Sequence, residues 1–437
     1  MITGCRQIPA GPAEKYDTAQ DLLGWLNIQF KRFGDVYKAS IYGASVYVVS
    51  DPQYASYVLR DNWQNYKKGQ AIKRVGLLLG NGLMVSEGEL WKSQRRMIQP
   101  AFHDNAIDAM TDVITAANCE LRKNWKRAAR EKRSVNVTRD LSLMVLKVVL
   151  ISVFGDDYPN VAPSFGILSE KSARDLYFAQ EFRLLGKMVA QVIAQRLKEN
   201  RSSPDILGML MEARDRESGQ AMLDRQLVNE IMTLVVAGHE TTTSTLNWAW
   251  YLLSQHSEVE EKLSKELSIL VGSDLPELAD LSKFTYTRQV IDEAMRLYPP
   301  GWLMTRRALK EDQLGDYFVP AGTEIYISPY LIQRHPAFWK DPDRFNPDRF
   351  EADQPSERHG LTMLPFSAGP RKCIGESLAR IEMQIHLMTI AKQLRLRSVD
   401  GNRLELDAGV NLRSKFDFIM IPEIKAHHAL SGDAAVR

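Results

Sequence analysis

The chain has 437 residues, 44% of them hydrophobic and 25% charged, with 56 Lys and Arg against 54 Asp and Glu for a formal net charge of +2. That composition supports a large core, and the near-neutral total charge names no partner; no nucleic acid is expected as one. Three widely spaced cysteines, Cys5, Cys119 and Cys373, argue against a disulfide framework and for a reducing compartment.

No run of about 18 uncharged apolar residues occurs, and the polar start has no secretory pattern, so a cytoplasmic protein without a membrane anchor is expected. No repeat, low-complexity tract or linker divides the chain, and residues 1–437 are expected to form one domain. Residues 22–33 carry an amphipathic helical pattern, and 35–50 alternate around Gly43 as a hairpin. Asp51 is placed to cap a helix running to Leu59. The glycine-dense stretch 63–86 reads as mostly loop. Residues 88–100 and 106–127 read as helices, and 140–202 as mostly helical. Further helices are predicted at 204–215, 224–255, 257–270 and 288–297. The one at 224–255 is unusually long, about 30 residues and so ~45 Å. Short strands follow at 314–328, broken at Pro320-Ala321-Gly322, and again at 404–422.

Three places in this pattern could carry chemistry. The first is the run Phe366-Ser367-Ala368-Gly369-Pro370-Arg371-Lys372-Cys373-Ile374-Gly375, which leads into a helical segment beginning at Glu376. A lone cysteine cannot build a zinc or iron–sulfur site, which needs several ligands close together. Held in a tight loop, one thiolate can be the axial ligand of a haem iron. Gly369 and Gly375 permit a sharp turn and close approach to a flat ring. The helix start and Arg371 favour an anion at Cys373, and Phe366 can pack over the loop. The second place is Ala237-Gly238-His239-Glu240-Thr241-Thr242, in the middle of the long helix. An acid beside a hydroxyl is unremarkable alone, since Thr often bonds back to its own helix. Gly238 costs about 1 kcal/mol there, which implies close approach of another group or a local opening. His239 reads as structural or surface. The third place is Glu293 and Arg296, three residues apart on one helix face.

The set Phe366, Gly369, Arg371, Cys373 and Gly375 resembles the haem-thiolate signature of the cytochrome P450 monooxygenases, and motifs from about Trp91 to about Lys415 follow that family's order. The resemblance implies a mainly α fold with a small β region around heme b (iron protoporphyrin IX), in a soluble, prokaryotic-type member. By it, Cys373 is the iron ligand, Thr241 matches the residue that hydrogen-bonds dioxygen, and Glu240 matches the acid that delivers protons. Trp91 with Arg95, Arg306 and Arg371 match the groups that hold the haem propionates. Glu293, Arg296 and Arg349 match a buried cluster that braces the cysteine loop; Asp348 stands where relatives often carry Glu. The substrate pocket would draw on Val75, Leu78, Val236, Ala237, Leu303, Met304 and Phe416, mostly apolar residues suited to a fatty acid, a terpenoid or another hydrophobic natural product. Compared with the family, the stretch 155–205 is short, which bears on the roof of the pocket.

Beside O2 and substrate, the implied partners are a separate ferredoxin or flavodoxin with its reductase, because the chain has no Gly-rich dinucleotide fingerprint after a strand and no cluster-binding cysteines. Arg95, Arg96, Lys340, Arg344 and Lys372 could form a basic docking face. Alternative readings are a peroxide-driven haem-thiolate enzyme, a non-catalytic haem carrier or sensor, and a cysteine nucleophile enzyme without haem. The pair Glu240-Thr241 argues against the first.

Overall fold

The structure is a computed structural model that describes residues 8–9, 21–170, 176–268, 278–351, 361–399 and 403–425. Its fifteen helices among these residues begin with α1 Leu22–Phe33, α2 Pro52–Ser56, α3 Gln70–Leu79, α4 Gly88–Ile98, α5 Asp104–Arg130 and α6 Val137–Phe154. They continue with α7 Tyr158–Phe165, α8 Ile167–Glu170, α9 Leu176–Glu199, α10 Ile206–Glu212 and α11 Asp224–Gln255. The last four are α12 Ser257–Leu267, α13 Thr285–Leu297, α14 Pro329–Ile332 and α15 Glu376–Ala391. The strands are β1 Val36–Ile41, β2 Ala44–Val49, β3 Tyr66–Lys68, β4 Val135–Asn136, β5 Met304–Ala308 and β6 Asp312–Leu314. They end with β7 Tyr317–Val319, β8 Glu324–Ile327, β9 Leu394–Ser398, β10 Leu406–Ala408, β11 Leu412–Ser414 and β12 Ile419–Ile424.

One mixed sheet runs in the order β1-β2-β8-β5-β3, and three small sheets pair β4-β12-β9, β6-β7 and β10-β11. The helices pack around α11, whose residues Trp248 and Trp250 are fully buried. One apolar core joins α5, α6, α11, α13 and α15; a second joins α4, α6, α9 and α11. Two further clusters lie under the mixed sheet. No helix among the described residues is long and apolar enough to cross a membrane.

Most predicted helices stand where their periodicity puts them, and α11 runs over all 32 residues expected. Asp51 caps α2 by accepting from the N–H groups of Gln53 and Tyr54. The stretch 63–86 departs from expectation, because it contains β3 and the ten-residue helix α3. Its glycines serve packing and capping instead of loop formation. A Cβ on Gly76 would meet Val85 at 2.9 Å, and Gly80 ends the helix at φ +72 while donating to Gly76 O. Strand β9 also goes beyond the expected elements; its partner β12 lies far along the chain. The short stretch 155–205 folds as α7, α8 and α9, closed by a buried ion cluster. Arg196, with no exposed side-chain surface, binds Asp157 at 2.7 Å and Asp205 at 2.7 Å.

In the first core, His386 Nε2 accepts from Trp250 Nε1 at 2.7 Å, and its Nδ1 lies 2.6 Å from Asn118 Oδ1. Since the indole can only donate, the imidazole is neutral with its proton on Nδ1. Burial lowers its pKa to about 3. The unfolded chain therefore binds a proton that the folded one refuses, and this residue's contribution to stability falls as pH drops below about 6.5. His386→Gln removes that penalty. Between pH 7 and 5 the variant should lose ~2 kcal/mol less stability than the parent in urea titrations. Parallel pH curves for the two proteins would contradict it.

Candidate active site

The cysteine loop is built by backbone strain that its residues are chosen to bear. Cys373 N–H closes the loop on Phe366 O at 2.9 Å, and Lys372 N–H bonds Gly369 O at 3.0 Å. Ser367 and Gly369 both take positive φ, +61 and +69. Gly369 has a second reason to lack a side chain: a Cβ there would lie 2.1 Å from Leu59 O. Phe366 packs on the first core, under the Arg380 guanidinium at 5.0 Å. Gly375 behaves differently. Its φ is −91, and a Cβ there would meet only Phe102, at 3.8 Å. That is an ordinary contact, so nothing among the described residues requires a glycine here.

The Cys373 side chain is exposed, yet protein surrounds it closely enough for burial to dominate the thiol. The exposure is therefore to a space within the fold. Burial pushes its pKa up; the N–H of Gly375 and the cations of Arg95 and Lys372 pull it down, and Glu376 opposes them. Lowering influences of the kind expected from sequence are present, but burial outweighs them. Among the described residues no group of three or more His, Cys, Asp or Glu side chains is placed to hold a metal. Any metal at this sulfur must bring its other ligands with it.

Beside the loop lies an excess of buried positive charge. Lys68 on β3 and Arg306 on β5 are directly paired across antiparallel strands. Like charges in that position repel unless an anion lies between them. Burial and the nearby Arg371 push Lys68 down to about 7, and the same influences push Arg306 down to about 10. Lys68 Nζ reaches only carbonyls, Leu83 O at 2.8 Å and Ser86 O at 3.0 Å. No carboxylate pairs with Arg306 among the described residues. Arg371 gives one nitrogen to Glu87 and stacks 4.6 Å over Trp91, while its Nε and Nη1 are buried without a partner. Two carboxylates, Glu87 beside Arg371 and Glu230 near Lys68, thus stand among three cations, and the excess positive charge is one that a pair of carboxylates on a flat cofactor would complete. With the clearance at Gly375 and the enclosed sulfur, these residues fit a haem, whose propionates Lys68, Arg306 and Arg371 would hold. Arg95 Nη1 binds Lys372 O at 2.8 Å and so ties α4 to the cysteine loop.

On α11, Gly238 admits close approach of α6, since a Cβ would meet Val149 at 3.3 Å. The helix stays continuous there. The Thr241 hydroxyl donates to Ala237 O at 2.7 Å, and Glu240 Oε2 accepts from Asn411 Nδ2 at 2.7 Å. His239 is buried against Ser142 and has a structural role, its pKa lowered to about 4 by burial. Further along α11, Glu230 is fully buried, accepts from Leu83 N–H at 2.8 Å, and is raised to about 7 by burial.

Val75, Leu78 and Val236 pack on the same apolar cluster as Ile374, the neighbour of Cys373. Ala237, next to Val236, is half-buried. Leu303 and Met304 pack instead on the two clusters under the mixed sheet. Phe416 stands at the surface, its ring within reach of Arg403 and Lys415.

Glu293 and Arg296 are wholly buried, with bonds of 2.7 and 2.9 Å. Arg349 Nε joins the same carboxylate at 2.9 Å. Arg296 Nη1 also binds Gln333 O, and Gln333 reaches on through Oε1 to Leu364 N–H at 2.7 Å. Leu364 O accepts from Ser367 N–H in the cysteine loop. Asp348 turns outward to Lys262 at 2.5 Å. Lys68, Glu87, Glu230, Gln333 and Asn411 do not stand out in the sequence. Each acquires its meaning from a partner on a distant segment, and no local pattern marks it.

The family model described as Cytochrome P450 matches residues 15–165 and 158–414. A cyclooctat-9-en-7-ol 5-monooxygenase of Streptomyces melanosporofaciens is 32% identical over 85% of this chain and 84% of its own. The chloroplastic carotene epsilon-monooxygenase of Arabidopsis thaliana is 28% identical over 92% of this chain and 82% of its own. A retinoic-acid-bound cyanobacterial CYP120A1 superposes with TM-score 0.86 at 23% identity, covering 96% of this chain and all of that one.

Proposed function

Since the chain belongs to the cytochrome P450 family of haem-thiolate monooxygenases, we propose that it oxidises an isoprenoid, a terpenoid or a carotenoid-like molecule, with electrons from a separate small redox protein. Haem supplies the iron at which dioxygen is reduced. Cys373 would ligate it, and Lys68, Arg306 and Arg371 would neutralise its propionates. Val75, Leu78 and Val236 offer a hydrocarbon an apolar wall and exclude water. Glu240 would hold the proton on the Thr241 side of the site, and Thr241 must release Ala237 O to use its hydroxyl elsewhere.

The observation that carries the substrate reading is the apolar cluster beside the cysteine loop, in a chain whose relatives include oxygenases of cyclooctatenol and carotene. Titrating the ferric protein with terpenoids, carotenoid fragments and fatty acids of equal length tests it. Spectral shifts are expected with the isoprenoids at concentrations where fatty acids give none. A response to fatty acids alone would overturn it.

Lys340, Arg344 and Lys372 are exposed, and Lys372, in the cysteine loop, is held by Glu376 at 2.5 Å. Arg96 is spent on Asp215 and Glu217 and does not belong with them. Docking of an acidic ferredoxin or flavodoxin on this face predicts an electron-transfer rate that falls as salt rises. A rate indifferent to ionic strength would remove the idea.

A further inference from the structure

Glu240, Ser244 and Trp248 lie at steps of four on α11, so they form one stripe. All three bond to the same short hairpin, the turn at 409–411 between β10 and β11 and the first residue of β11. Ser244 Oγ donates to Leu412 O at 2.6 Å, and Trp248 Nε1 to the same oxygen at 3.4 Å. From the other side, Leu412 N–H donates to Pro300 O at 2.9 Å, and Trp302 Nε1 donates to Gly409 O at 3.0 Å. The backbone on either side of Asn411 is therefore pinned to α11 and to the segment before β5. From this fixed frame Asn411 Nδ2 reaches Glu240 Oε2 at 2.7 Å.

We propose that Asn411 is a positioning residue for Glu240, holding one carboxyl oxygen against the hairpin so that the other is the oxygen that carries and releases the proton. This rests on the reading of Glu240 as the proton source. An amide donor prefers the ionised oxygen, so the bond makes the two oxygens unequal. Without it the carboxyl rotates freely and presents its proton in many directions. The back-bonded Thr241 sits on the adjacent helix face and does not share the stripe.

The test uses the holoenzyme with 13C-labelled glutamate. The infrared band lost in Glu240→Gln identifies the Glu240 carboxyl, and in Asn411→Ala that band is expected to move to the position of a carboxyl lacking the amide bond. Reductant consumed per product is expected to rise roughly fivefold in Asn411→Ala, as for loss of one ordinary hydrogen bond. Asn411→Ala added to Glu240→Gln is expected to change coupling no further. An unmoved band, or the same added loss in both backgrounds, would overturn the proposal. If Glu240→Gln itself leaves coupling unaltered, the reading of Glu240 as proton source falls, and the band shift still reports whether Asn411 holds the carboxyl.

Discussion

Replacing Cys373 by Ser is expected to abolish turnover and to remove the long-wavelength absorbance that a thiolate ligand gives the reduced carbon-monoxide complex. The loop closes through backbone groups, Cys373 N–H to Phe366 O and Lys372 N–H to Gly369 O, so its shape does not depend on the sulfur. The propionate-side cations are likewise untouched. Cofactor can still enter, but a hydroxyl is a poor donor to iron and lacks the electron push of a thiolate. Cys119→Ser is the control. Cys119 lies on α5, remote in sequence from the loop, and its loss should leave the spectrum as it was. A Cys373→Ser variant with the parent's reduced spectrum would show that the iron is held by some other group.

The second large effect is expected at Glu293. Its carboxylate meets Arg296, whose side chain has no exposed surface, and Arg349, and also accepts from Asn346 N–H at 2.9 Å. Glu293→Ala leaves a guanidinium buried without its counter-charge, a change that costs about 3–5 kcal/mol. The damage should spread along Arg296, Gln333 and Leu364 into the cysteine loop. The variant is therefore expected to unfold at lower urea and to retain less haem per chain after purification. Full haem content with an unchanged urea midpoint would make the cluster an ornament of the fold.

How much is legible beforehand follows from where information is stored. The cysteine loop, the Glu240-Thr241 pair and the 32-residue helix α11 are local in sequence. Glycine, charge and periodicity within a few residues carry them. Helix α3 is hidden because its glycines read as breaks, whereas Gly76 is there for Val85 and Gly80 for the helix end. The pairing of Lys68 with Arg306 spans most of the chain and exists only once β3 meets β5. Asn411 is likewise an ordinary turn residue until the hairpin lies along α11. Phe416 has the apolar character expected of a pocket residue, and its partly exposed ring lies within reach of two cations. Apolar character alone does not say which side of a tail residue faces in.

Lys68, Arg306 and Arg371, which outnumber the carboxylates Glu87 and Glu230, have a consequence for the life of the chain in a cell. Without an anion between them these cations repel in a buried setting, so the cofactor-free protein is the weaker fold. A ligand that binds only the native state adds stability in proportion to the logarithm of its free concentration. Quality-control proteases act on the fraction that opens. Porphyrin supply should therefore govern how long newly made copies persist, independently of how fast they are synthesised.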